Sequence, residues 1–255
     1  MKEQIYTIPV NEVYDTDCEC PLCELEKKLE KETLDYALGA AMMEPEFRME
    51  SNEKGFCNHH CSMLFGMSNF AYATSWQATL MILFLDYLIA FGVIGLGGVF
   101  RGIKNQKGGL FKKTGSADFS KALSEKLDGI SDGCVVCDKI NHTMERYADV
   151  LLYMWANDEK FKEKFNKSKG VCLKHMKLLV DTVPKSLKDS QAAQFLACLF
   201  EKQETELSRI QQDIHKFTLK FDYRNKDMEW GTAQDAPIRT IDKISGFINN
   251  DYEEK

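Results

Sequence analysis

Six of the nine cysteines in this 255-residue chain fall into a pattern suited to holding metal. Cys20-Pro-Leu-Cys23 and Cys134-Val-Val-Cys137 are C-x-x-C pairs, and Cys57-Asn-His-His60 and Cys172-Leu-Lys-His175 are C-x-x-H pairs. Three thiolates and one imidazole make a soft four-donor set, the composition of a closed, tetrahedral zinc site. The two-residue spacer lets both members of a pair turn toward one ion. Pro21 restricts that turn in the first pair, and Gly55 and Gly170 let the backbone enter the C-x-x-H pairs tightly. Taken in chain order, the pairs predict two sites. Cys20, Cys23, Cys57 and His60 form the first, and Cys134, Cys137, Cys172 and His175 the second. Two zinc ions are expected, structural rather than catalytic because the protein fills every position. An iron–sulfur cluster with one histidine ligand is the less favoured occupant, and buried free thiols or a redox dithiol are the metal-free alternatives.

The spacing repeats along the chain. Cys23 and Cys57 are separated by 33 residues, and Cys137 and Cys172 by 34. Phe47 stands eight residues before Gly55 and Phe161 nine before Gly170, which accounts for the difference. A polar run leads into Lys-Gly-x-Cys each time, so the chain reads as two copies of one unit. His59 adjoins His60 and offers an alternative ligand, but the alignment of copies favours His60. Cys18, Cys61 and Cys198 have no counterparts and read as spare thiols, Cys198 on the core face of a helix. His142 and His215 read as surface residues.

The elements that must position these donors are helical. Leu25, Leu29, Leu34, Ala37 and Leu38 recur at helical spacing between residue 24 and about residue 43. Residues 61–90 continue as helix after the first C-x-x-H. Ile140, Met144, Tyr147, Val150, Leu151 and Met154 mark a helix over 138–156. Another follows His175 as far as Pro184, and a long one runs from about Ser190 to Leu219 with Phe195, Leu199, Leu207 and Ile210 on its apolar face. A short one is expected around Ala236–Phe247, and residues 1–17 read as an irregular lead-in. No run of alternating strands is present. The predicted fold is mainly α, with two pseudo-repeated helical units each tied by a Cys3His zinc site. The first repeat would occupy 1–94, a glycine-rich basic linker 95–117, and the second repeat with a C-terminal tail 118–255.

Composition bounds the function. Lys+Arg number 33 and Asp+Glu 39, a formal charge of −6, so no dedicated nucleic-acid binding is expected. The opening MKEQIYTIPVNEVYDTD has no apolar run after its early lysine, so no secretory signal is expected and the chain is placed in the cytoplasm, where disulfides are rare. Leu80–Phe100 is apolar with Asp86 as its only charge, long enough to qualify as a membrane span. A buried helix seam is favoured over membrane contact there, because a single span would put the two sites on opposite sides of a membrane. Asp222, Tyr223, Arg224 and Asn225 read first as a helix cap that ties the tail to the body, and second as a ligand site.

With its CPLC, GFCNHH, C-x-x-C-D-K-I-N and G-x-C-x-x-H landmarks, the KFDYRN segment and the WG…DAP…RTI tail, the chain resembles an uncharacterised family of clostridial-type bacterial proteins, a domain of unknown function. The resemblance spans nearly the whole chain and implies no established activity. Transporter-component labels carried by some relatives find no matching export signal or lipoprotein cysteine here. Leu80–Phe100 departs from the family pattern in being unusually apolar.

No phosphate-cradling G-x-x-x-x-G-K-[ST] or H-E-x-x-H is present. The reading is therefore a zinc-binding helical protein, an interaction or regulatory protein with an unidentified protein partner rather than an enzyme. A thiol-redox or metal-responsive protein is one alternative, and a membrane-associated or transporter-linked component another.

Overall fold

The computed structural model describes residues 4–67, 124, 133–225 and 227–246. Among them are nine α-helices and no strand, so the mainly α fold is borne out. The helices are α1 (Thr7–Val13), α2 (Pro21–Leu38), α3 (Pro45–Lys54), α4 (Asn58–Met67), α5 (Val135–Asn157), α6 (Glu159–Lys167), α7 (Leu173–Ser186), α8 (Asp189–Leu219) and α9 (Ala236–Ser245). Leu80–Phe100 and the expected 95–117 linker lie outside the described residues. No helix among the described residues is long and apolar enough to cross a membrane.

The chain divides into two compact units, Met1–Lys28 with His142–Lys255, and Leu29–Asn141. The boundaries fall inside α2 and α5, because a continuous helix can contribute side chains to more than one core.

In the first unit the core is aromatic. Phe161, Phe165 and Phe195 are fully buried. Tyr14 meets Phe161 edge-on at 5.1 Å, and Trp155 meets Phe195 at 5.1 Å. Burying each such ring contributes roughly 1.5–3 kcal/mol. The expected irregular lead-in is instead the helix α1. Pro9 lies in its first turn, where a missing N–H costs nothing, and Val10 and Tyr14 are buried. Tertiary packing therefore decides a segment whose local signal is weak. The α6 start is capped by Asp158, whose carboxylate accepts from Lys160 N and Phe161 N. Helix α7 runs two residues past Pro184, which forgoes the one hydrogen bond its nitrogen would donate. On α8, Phe195, Leu199 and Ile210 are buried, but Leu207 is exposed.

In the second unit, Leu29, Leu34 and Ala37 of α2 are buried, as are Phe47 and Leu64. Tyr36 packs edge-on against Phe47 at 5.7 Å and carries the Lys139 ammonium over its face at 4.0 Å. The α3 end stops at Gly55, whose φ of +68° is a conformation that favours glycine.

Candidate metal centres

Each of the four donor pairs starts a helix. Cys20 immediately precedes α2, Cys57 precedes α4, Cys134 precedes α5 and Cys172 precedes α7. The first donor of every pair thus occupies the N-cap position and the second lies three residues on, in the first turn. The spacing is that of a capping box, whose two members turn toward each other. The Cys172 sulfur accepts from His175 N, and the Cys134 sulfur from Cys137 N, both at 3.4 Å. A helix N-terminus favours negative charge, so these ends suit thiolates.

The eight predicted ligands come together in two groups of four, with a pairing different from that expected. Cys20, Cys23, Cys172 and His175 form one group, and Cys57, His60, Cys134 and Cys137 the other. Each C-x-x-C meets the C-x-x-H of the other half of the chain, and each compact unit contains one complete group. Helix length explains the correction. Helix α2 has 18 residues and carries the chain roughly 27 Å outward, whereas the ten residues of α3 return it only about 15 Å. Helix α5 has 23 residues and α6 nine, a similar imbalance. The C-x-x-H at the end of α3 accordingly does not reach the Cys20–Cys23 pair, and His60 faces Glu30 midway along α2.

In the first group, His175 Nδ1 lies 3.4 Å from Cys20 Sγ, 3.3 Å from Cys23 Sγ and 3.2 Å from Cys172 Sγ, and the Cys23 and Cys172 sulfurs are 3.6 Å apart. All four residues are buried. In the second group, His60 Nδ1 lies 3.2 Å from Cys57 Sγ, 3.3 Å from Cys134 Sγ and 3.3 Å from Cys137 Sγ, and the Cys57 and Cys137 sulfurs are 3.8 Å apart. Here Cys134 and His60 are buried while Cys57 and Cys137 are partly exposed. His59 is exposed and holds Glu30 at 3.2 Å, which agrees with His60 as the ligand. Cys18, Cys61 and Cys198 belong to neither group. Cys198 is only half-buried, its sulfur donating to Asn166 Oδ1 at 3.2 Å.

Beside the imidazole of each group stands a glutamate of α2. Glu30 Oε1 lies 3.1 Å from His60 Nε2 in a hydrogen bond. Glu26 Oε2 lies 3.4 Å from His175 Nε2, an ion-pair distance whose alignment leaves that nitrogen without a hydrogen bond. The charges follow from these contacts. Burial opposes a proton on His60, but Cys134 and Glu30 outweigh it and raise the ring to about 10. Burial likewise opposes charge on His175, and Cys172, Cys23 and Glu26 raise it to about 11. Burial pushes the Cys134 thiol up, yet His60 and neighbouring backbone donors bring it down to about 6. Burial pushes the Cys20 and Cys137 thiols well above the usual thiol range.

Several residues that brace the first group carry no sequence signal. Lys243 of α9 is fully buried and donates to the backbone carbonyls of Glu19, at 3.1 Å, and Lys169, one on each ligand-bearing arm. Gln203 binds the Val171 backbone through both its amide groups. Arg209 holds the buried Glu19 carboxylate at 2.6 and 2.8 Å, and Arg239 bridges Asp213 at 3.0 Å. Gly170, at φ +78°, sits against this network, where an added Cβ would lie 2.7 Å from Gln203 Oε1. A lysine or glutamine on a helix face ordinarily signifies solvent, so periodicity does not find these residues. The Asp222–Asn225 set is a cap. Arg224 pairs with Asp222, and Asn225 Nδ2 donates to Leu219 O at the end of α8. His142 and His215 are exposed.

A family model matches residues 1–251 of the chain, that of DUF6062, a family of unknown function. The chain belongs to this family. No curated protein and no solved structure matches it. Membership in DUF6062 thus brings no activity with it, and the chemistry must be argued from the two donor groups.

Proposed function

We propose that the protein binds two zinc ions, one in each Cys3His group, and acts as a metal-braced helical interaction or regulatory protein of the cytoplasm. The observation that carries this reading is the size of the two donor tetrahedra. A four-coordinate zinc ion with sulfur at about 2.3 Å and nitrogen at about 2.0–2.1 Å needs S···N edges of about 3.5 Å and S···S edges of about 3.8 Å. The S···N edges are 3.2–3.4 Å, the Cys23–Cys172 S···S edge is 3.6 Å and the Cys57–Cys137 edge is 3.8 Å. The ligands of an iron–sulfur cluster reach separate iron atoms and spread more widely, so one compact tetrahedron favours a single ion. Four protein donors leave no coordination position for a substrate, which supports a structural role over a catalytic one.

The donors do distinct work around such an ion. The cysteines supply charge, the helix N-termini stabilise it, and Glu26 and Glu30 orient the imidazoles so that Nδ1 faces the sulfurs. When bound, the metal supplies a cross-link between two helix starts far apart in sequence. Elemental analysis of protein purified without chelators should find about two zinc ions per chain, and a strong chelator should unfold it. Metal-free protein that is fully folded would overturn the reading.

A further inference from the structure

The two groups share one donor set and differ in exposure. Cys20, Cys23, Cys172 and His175 are all buried, with the Gly246 backbone beside the sulfurs: an added Cβ there would lie 3.7 Å from Cys172 Sγ and 3.9 Å from Cys23 Sγ. The other group has an open edge. Its Cys57 and Cys137 are partly exposed, come from the starts of different helices, and hold their sulfurs 3.8 Å apart, while Cys134 and His60 lie behind them.

We infer that the Cys57/His60/Cys134/Cys137 group is an oxidant-responsive metal site, at which a small peroxide oxidises Cys57 and Cys137 to a disulfide and the metal is released. The inference rests on the zinc reading above and adds a reaction at one of its two sites. One exposed thiolate attacks a peroxide oxygen. An S–O bond forms, the O–O bond breaks, and the departing hydroxide takes a proton to become water. The sulfenic acid so formed is attacked by the second thiolate. The S–S bond forms, and hydroxide leaves and is protonated to a second water. Two thiolates lose two electrons, which hydrogen peroxide accepts. The sulfurs must close by about 1.8 Å to reach disulfide length. Only Cys134 and His60 then remain as donors, too few to retain a structural ion. The buried group offers a peroxide no such edge, and susceptibility follows thiolate exposure.

The experiment uses the full chain loaded with zinc, its content measured first, then treated with hydrogen peroxide in the presence of a zinc-responsive dye. One ion per chain should be released about tenfold faster than the other, with peptide mass spectrometry placing the new disulfide between Cys57 and Cys137. A C18S/C61S/C198S chain, which keeps all eight donors, should behave in the same way. Release of both ions together, retention of both, a disulfide among Cys20, Cys23 and Cys172, or loss of the response in the triple variant would each overturn the inference while leaving two-zinc binding intact. A chain that takes up fewer than two ions before peroxide is added fails the zinc reading itself, which the initial measurement identifies.

Discussion

The two donor groups are chemically alike and structurally unequal. The Cys20/Cys23/Cys172/His175 group is wrapped by α9, by the buried Lys243 and by the Arg209–Glu19 and Arg239–Asp213 ion pairs, so its backbone arms are held from several directions. The Cys57/His60/Cys134/Cys137 group is carried by the starts of α4 and α5. Its arms are joined by a backbone hydrogen bond from Val135 N to Gly55 O at 3.1 Å and by the Lys54–Asp138 ion pair at 2.7 Å, which is exposed. Its glutamate is shared between His60 and His59, whereas Glu26 is shared between His175 and Lys174. Donor type selects the metal, and the surroundings decide how firmly and how accessibly it is held. An identical coordination formula can therefore serve as a permanent brace in one place and an exchangeable one in another.

Removing a donor should produce the largest effect and the clearest contrast. C172S should lose one ion per chain and with it much of the roughly 10–16 kcal/mol that a structural zinc ion supplies to folding. C137S should also lose one ion but unfold less of the protein. Zinc content together with thermal denaturation reads both. Equal destabilisation by the two variants would erase the distinction drawn here.

Acid should act next. The His60 and His175 rings, raised to about 10 and about 11, and the Cys20 and Cys137 thiols, raised by burial, hold protons in the metal-free fold. Coordination must displace those protons, so affinity rises with pH and falls as the solution is acidified. Competition titrations between about pH 8 and about pH 5 should show tighter binding at the higher pH, with protons released on loading. A pH-independent affinity would count against thiolate coordination.

The carboxylates behind the histidines offer a finer test. E30Q and E26Q should each weaken metal binding by about 10- to 100-fold. The larger loss is expected for E30Q, because Glu30 makes an aligned hydrogen bond and Glu26 does not. Dye competition on the zinc-loaded chain measures both.

The smallest effect is expected at Lys243. K243M leaves the Glu19 and Lys169 carbonyls without their donor, at a cost of about 1–3 kcal/mol. Zinc content should hold at two ions while the melting temperature falls. Loss of the more exposed ion instead would show that Lys243 supports the other group.

Much of the site was legible because its signal is local. A C-x-x-C or C-x-x-H places donors at the cap and in the first turn of a helix, and that geometry depends on neighbouring residues alone. The apolar spacing of α5 was legible for the same reason: Ile140, Met144, Tyr147, Val150, Leu151 and Met154 are all buried. Helix α1 was not, since Val10 is buried and Tyr14, at its end, gains its partners Phe161 and Phe165 from far along the chain. Lys243 was not either, because its type argues for solvent and only its two carbonyl acceptors explain its burial.

By itself, the amino-acid sequence determined the helical class, the eight donors and the helix starts that carry them, all of which follow from spacings of a few residues. The tertiary structure decided which donors share a site. That choice turns on the lengths of α2 and α5 against their short return helices, which bring each C-x-x-C to the C-x-x-H of the other half of the chain. It also decided which group is sealed and which has an open edge, because burial is set by what packs around a residue and not by the residue's own type.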